Sequence, residues 1–92
     1  MSYQITYSDS YVKRAGKFLR KHPDIHNQYR KTLALLALDP WYPSLRLHGF
    51  EGRLKDLSSV SINKHYRIVL ELDTINEKII LTDVGDHDQV YY

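Results

Sequence analysis

The 92-residue sequence contains no cysteine. That excludes disulfides, thiolate nucleophiles and cysteine-ligated metals, and it makes a reducing cytoplasm the expected home. No apolar run approaches the roughly 18 residues of a membrane span, so no membrane is expected among its partners. The opening MSYQITYSDS also lacks the basic-then-apolar pattern of a secretory signal. Glycine is scarce, with four residues, and proline scarcer, with three. Phosphate-cradling loops, dinucleotide fingerprints and nucleophile elbows all need glycines at fixed offsets, and none is present. Excess charge is small: the net charge is +2 and the isoelectric point about 8.9. This suits a nucleic-acid partner without requiring one. No repeat, linker or low-complexity tract divides the chain, and its length fits one domain over residues 1–92.

What is present in excess is tyrosine, at eight residues, an amphipathic side chain suited to half-buried sites. The most ordered pattern lies at 48–72, HGFEGRLKDLSSVSINKHYRIVLEL. Read with period two, Leu54, Val60 and Ile62 share one face and Lys55, Leu57, Ser59 and Ser61 the other. In the next segment Tyr66, Ile68, Leu70 and Leu72 alternate with His65, Arg67, Val69 and Glu71. A short loop at Asn63, Lys64 and His65 that pairs Ile62 with Tyr66 brings the two apolar faces together, as a half-buried antiparallel hairpin requires. Arg67 then shares the second face with Lys55, Ser59 and Ser61, which is expected to stay open or partly open and to leave Arg67 accessible.

The rest of the chain supplies partners for the apolar face. Residues 3–7 alternate as a short strand. Ser8, Asp9 and Ser10 are N-cap candidates for a helix running to about Lys21. Tyr11, Val12, Ala15, Phe18 and Leu19 form its apolar stripe, with Lys13, Arg14, Lys17, Arg20 and Lys21 on the other side. Pro23 stops it and opens a second helix, expected over 24–38, whose LALLAL end should be the best buried helical part of the chain. Residues 41–44 cross to the sheet, a turn spans 73–78, and a last strand covers 79–84. The order strand, two helices, three strands predicts an α+β fold: a small, mostly antiparallel sheet with both helices on one face.

Chemistry then falls to the five histidines. His22 and His26 stand four apart, but Pro23 interrupts a helix that would pair them on metal, so a solvated helix junction is expected. His48, His65 and His87 each sit at an end of a predicted strand. Converging with an arginine, such a set suits a phosphodiester. One group takes the 2′-hydroxyl proton, another protonates the leaving oxygen, and the cation stabilises the charged transition state. An imidazole with a reference pKa of about 6.5 serves either role. Spacing alone equally allows three unconnected loop histidines.

The segments HGFEGRLK at 48–55, KHYRIV at 64–69 and GDHDQVY at 85–91 carry a family likeness. In this order, behind a strand and two helices, they resemble the RelE/ParE superfamily of toxins from type II toxin–antitoxin systems, most of all the YafQ branch. The resemblance implies a RelE-like fold, ribosome-dependent cleavage of messenger RNA, no metal or other cofactor, and partnership with the ribosome, mRNA and a cognate antitoxin. His48 and His87 fall where YafQ-like toxins keep functional histidines, His65 where that branch has an acidic group, and Tyr91 at its aromatic. Arg67 matches the phosphate-binding arginine of the HigB and YoeB branches. His87, His48, His65 and Arg67 are thus the catalytic candidates, and Tyr91, Lys55, Ser61 and Lys64 the RNA-binding ones. The sequence departs from the branch at Ser61, where a further histidine is usual, and at Ser58, where relatives place an aromatic or basic residue. The ParE branch suggests an alternative, a non-enzymatic poison of a protein target such as DNA gyrase. A protein-binding poison needs no proton-transfer groups, so His87 and Arg67 favour the nuclease.

Overall fold

The computed structural model describes residues 2–86. Strand β1 (Gln4–Tyr7) leads to helix α1 (Asp9–Lys21), capped by Ser8, whose Oγ accepts the Tyr11 N–H at 3.1 Å. Such a cap contributes about 1 kcal/mol. Helix α2 (His26–Leu38) starts two residues later than expected, because Pro23 opens a separate 3₁₀ turn at Pro23–Ile25. Proline is pre-set for such a first turn. His26 fastens the junction, its Nε2–H donating to the Leu19 carbonyl at 2.7 Å.

A further 3₁₀ turn (Pro43–Leu45) carries the chain to the two-residue strand β2 (His48–Gly49). Strands β3 (Leu57–Ser61), β4 (Tyr66–Asp73) and β5 (Lys78–Asp86) follow. Among the described residues the sheet has five strands in the order β1-β5-β4-β3-β2, with β1 parallel to β5 and the other pairs antiparallel. The sequence predicts four of these strands; β2 is too short for any alternation to show.

The hairpin register is the expected one. Ser61 lies opposite Arg67 and Val60 opposite Ile68, and the Ile62 N–H donates to the Tyr66 carbonyl at 2.9 Å. Asn63 closes the turn, its Oδ1 accepting the N–H groups of His65 and Tyr66 at 2.8 and 3.0 Å, an Asx turn built by side chain. The strand start differs from expectation. Gly52 takes a left-handed φ of 67° and a 3₁₀ turn follows at Gly52–Leu54, so Leu54 and Lys55 lie ahead of β3 rather than on it.

Both helices pack on one sheet face, as expected. Tyr11, Ala15, Phe18, Ile25, Tyr29 and Leu36 meet Val60, Ile62, Ile68, Leu70, Ile79, Leu81 and Val84. A bulge between Val69 and Leu70 on the β4–β5 ladder pairs Val69 with Asp83 but Leu70 with Leu81. Thr82 is the extra residue, and its Oγ1 donates to the Val69 carbonyl at 3.1 Å. The extra residue switches parity, so Ile79, Leu81 and Val84 all reach the core.

Candidate functional site

β2 lies at one edge of the sheet, with His48 opposite Ser59 and Gly49 opposite Ser58. The Phe50 N–H prolongs the pairing to the Leu57 carbonyl at 3.0 Å. Residues directly opposite in an antiparallel ladder share a face, so His48, Ser59, Ser61, Arg67 and Val69 belong to the face turned from the helices. His48 itself is exposed.

Arg67 corrects the expectation of an open face. It is 9% exposed, beside Ser59 at 0% and Val69 at 1%. Its Nε–H donates to Ser59 Oγ at 3.0 Å, and Nη2 donates to the Arg46 carbonyl at 2.9 Å and the Ser59 carbonyl at 3.3 Å. The segment before β2, whose Leu45 lies in the helix-side core, brings the carbonyl of Arg46, in a left-handed conformation with φ 50° and ψ 52°, within reach of the guanidinium. Alternation identifies the face a side chain takes; it is silent on whether another segment covers that face.

The other candidates divide into groups. Ser61 is half-buried, and its hydroxyl donates to the Asn63 carbonyl at 2.6 Å inside the hairpin turn. Lys64 and His65 are exposed at the hairpin tip, the His65 ring edge-on to Tyr66 with centroids 6.2 Å apart. At that end β5 finishes, with Asp86 opposite Tyr66 and Gly85 opposite Arg67. The tip histidine and the end of β5 thus border one end of the sheet, while His48, opposite the middle residue of β3, lies further along the edge strand. Lys55 is not part of this group: it sits at the opposite end of β3, beside Asp56, Ser58 and the Glu71–Asp73 end of β4. His87 and Tyr91 lie outside the described residues.

One further cluster escaped the sequence reading. On the helix side, Arg14, Lys17, Lys21, His22, Tyr66 and Asp86 surround a groove of about 390 Å³. Arg14 pairs with Asp83 at 3.1 Å. His22 joins Phe18 and Tyr66 in a three-ring cluster, tilted against each at 4.7 Å by ring centroid, and its Nδ1 shares a hydrogen bond with the Tyr66 hydroxyl at 3.2 Å. The signal was the basic face of α1. What it lacked was the strand pairing that brings Tyr66 and Asp86 beside it. His22 and His26 engage different partners, Tyr66 and Leu19, and among the described residues no cluster of histidine and carboxylate side chains could hold a metal.

No protein-family model and no curated protein matches this sequence. Solved structures do. The chain aligns with YafQ from Escherichia coli strain BL21(DE3) at a TM-score of 0.79 and 15% identity, over 98% of this chain and 99% of that one. It aligns over the whole of both chains with a protein of the E. coli DinJ-YafQ toxin-antitoxin complex, at 0.78 and 17%. A metal-bound toxin from Helicobacter pylori gives 0.77 and 21%, over 99% of this chain and 100% of that one. A YoeB/ParE toxin from Agrobacterium tumefaciens gives 0.75 and 11%, over 91% and 98%. Likeness at such low identity is a likeness of backbone, and it matches the sheet order and helix placement described above: this chain has the fold of these YafQ and YoeB/ParE toxin structures.

Proposed function

We propose that this protein is the toxin of a type II toxin–antitoxin pair and cleaves messenger RNA on the ribosome. The observation that carries the reading is that, on this fold, His48 on the edge strand pairs with Ser59 on the face beneath which the Arg67 cation lies, while His65 and the end of β5 stand at the hairpin-tip end of the sheet. In the proposed reaction one imidazole removes the 2′-hydroxyl proton, the resulting oxyanion attacks the adjacent phosphorus, and a second imidazole protonates the departing 5′ oxygen. That division of labour needs two groups that titrate near neutrality on opposite sides of one phosphodiester. His48 and His87 are assigned these roles without an order between them, and His65 is the reserve. Tyr91 stacks on or packs against a neighbouring base, and Lys64 and Ser61 meet the RNA near the hairpin tip. Lys55, at the other end of β3 beside Ser58, meets the RNA there.

The partners follow. A cognate antitoxin neutralises the toxin, in keeping with the toxin-antitoxin complex among the structural neighbours. The ribosome presents the message, and the cytoplasm is the place of action. No metal or other cofactor enters the chemistry. The ParE-like alternative, inhibition of a protein target such as DNA gyrase, gains weight from the burial of Arg67, which takes one electrostatic group away from direct phosphate contact.

The test is primer extension on messages carried by translating ribosomes with purified protein. The wild type is expected to cut them, while His87→Gln and His48→Ala each reduce cutting at least 100-fold, within the range for loss of an acid–base group, with melting temperatures near wild type. Full cutting by both variants would shift the chemistry to His65 or elsewhere. Intact messages with the wild type, together with arrested DNA gyrase, would establish the alternative.

A further inference from the structure

We propose that Arg67 is a positioning residue for His48. β2 has two residues, against a usual strand length of about five or six, and it lies on the edge of the sheet. A ladder this short holds a side chain weakly by itself. Both flanks of His48 are nevertheless tied to one guanidinium. Ser59, its partner across the ladder, accepts from Arg67 through Oγ at 3.0 Å and through its carbonyl at 3.3 Å. The Arg46 carbonyl, two residues before His48 in the chain, accepts from the same Nη2 at 2.9 Å.

The Arg46 bond matters because of the backbone it fixes. A non-glycine residue in the left-handed region is disfavoured, and Arg46 holds φ 50° and ψ 52° as the cap of its 3₁₀ turn. The dihedrals of Arg46 decide the direction in which Leu47 and His48 depart. A carbonyl held by a buried cation keeps that turn in place, since a charge-assisted bond is about twice as strong as a neutral one. The guanidinium also suits the task by shape. Its planar fork serves acceptors on two segments at once, where the ammonium of lysine is a point charge on a flexible stem. Arg67 thus links the centre of the sheet to its edge strand and carries that strand's histidine into register.

The consequence for activity rests on the nuclease reading above; the positional claim does not. Two measurements separate them. The first follows the His48 imidazole signals and the amide exchange of residues 47–49 by NMR in Arg67→Lys, with His22, His26 and His65 as internal references. His48 alone is expected to move, and the amides of 47–49 to lose at least 10-fold in protection. Should Arg67→Lys fail to fold, Ser59→Ala removes the Oγ acceptor and gives the same readout at smaller amplitude. Wild-type His48 signals and protection in the variant examined overturn the proposal. The second is a cycle of Arg67→Lys and His48→Ala in the ribosome assay. If Arg67 acts through His48, the double variant cuts no more than about 3-fold more slowly than His48→Ala. If the two losses multiply, Arg67 acts on the RNA independently and the positional role is not what sets the rate. A wild type that cuts nothing removes the nuclease reading and leaves the NMR result to decide the proposal.

Discussion

Tyr11 and Tyr29 show how one buried contact sets a pH dependence. Their hydroxyls share a hydrogen bond in the core, with Tyr11 1% and Tyr29 8% exposed. Burial pushes both hydroxyls above the ordinary tyrosine value, and the bond between them raises Tyr11 further while holding Tyr29 back. Folded pKa values above the unfolded one mean that the neutral pair stabilises the protein fully below about pH 10, the ordinary value. That contribution is lost as pH rises, because the unfolded chain releases the protons first. Urea midpoints should therefore fall between pH 8.5 and 10.5. Tyr11→Phe should cost about 1–2 kcal/mol at pH 8.5, the penalty for stranding the partner hydroxyl, and should show a shallower fall. An equal alkaline fall in wild type and variant would place the titration elsewhere.

Among the elements, the hairpin was the most legible, because a half-buried strand must alternate and a single slip would put every apolar residue on the wrong face. Val60, Ile62, Tyr66, Ile68 and Leu70 left one register, and the structure has it. The bulge was not legible, since period-two reading assumes no inserted residue. It would have sent Asp83 inward, whereas Thr82 takes up the step and Val84 reaches the core. β2 carries too few residues for a pattern, so the exposed placement of His48 beside Ser59 came only with the sheet. Turn strain is equally hidden. Glu77 closes the β4–β5 turn at φ 55°, a region glycine occupies freely. Glu77→Gly should therefore stabilise by about 0.5–1 kcal/mol, after offsetting the entropy that glycine adds to the unfolded chain. In thermal unfolding that is a rise of about 2–8 °C for a domain of this size. A lower melting temperature would show that the Glu77 side chain holds the turn by contacts outweighing the strain.

At the scale of the whole molecule the sheet separates two surfaces. One side carries the helices and the groove of Arg14, Lys17, Lys21 and His22; the other carries His48 and the buried Arg67. On the proposed toxin reading, the burial of Arg67 changes how an antitoxin can act. A partner that silences the protein does not need to reach the guanidinium; it has only to cover or distort the strand that the guanidinium holds, or to displace the chain beyond β5 where His87 lies. Extended or helical segments docked on so small a domain can do either. With the proposed antitoxin bound, amide exchange should slow by at least 10-fold at residues 47–50 and at the hairpin tip, 62–66, if the strand is covered. If it is distorted, exchange at 47–50 should quicken and the Arg67 bonds to Ser59 and Arg46 should be missing from the structure of the complex. Unchanged exchange at both places, with the chain beyond β5 also unaltered and ribosome cutting nevertheless abolished, would exclude neutralisation at this end of the sheet and point to the helix-side groove as the surface the antitoxin takes.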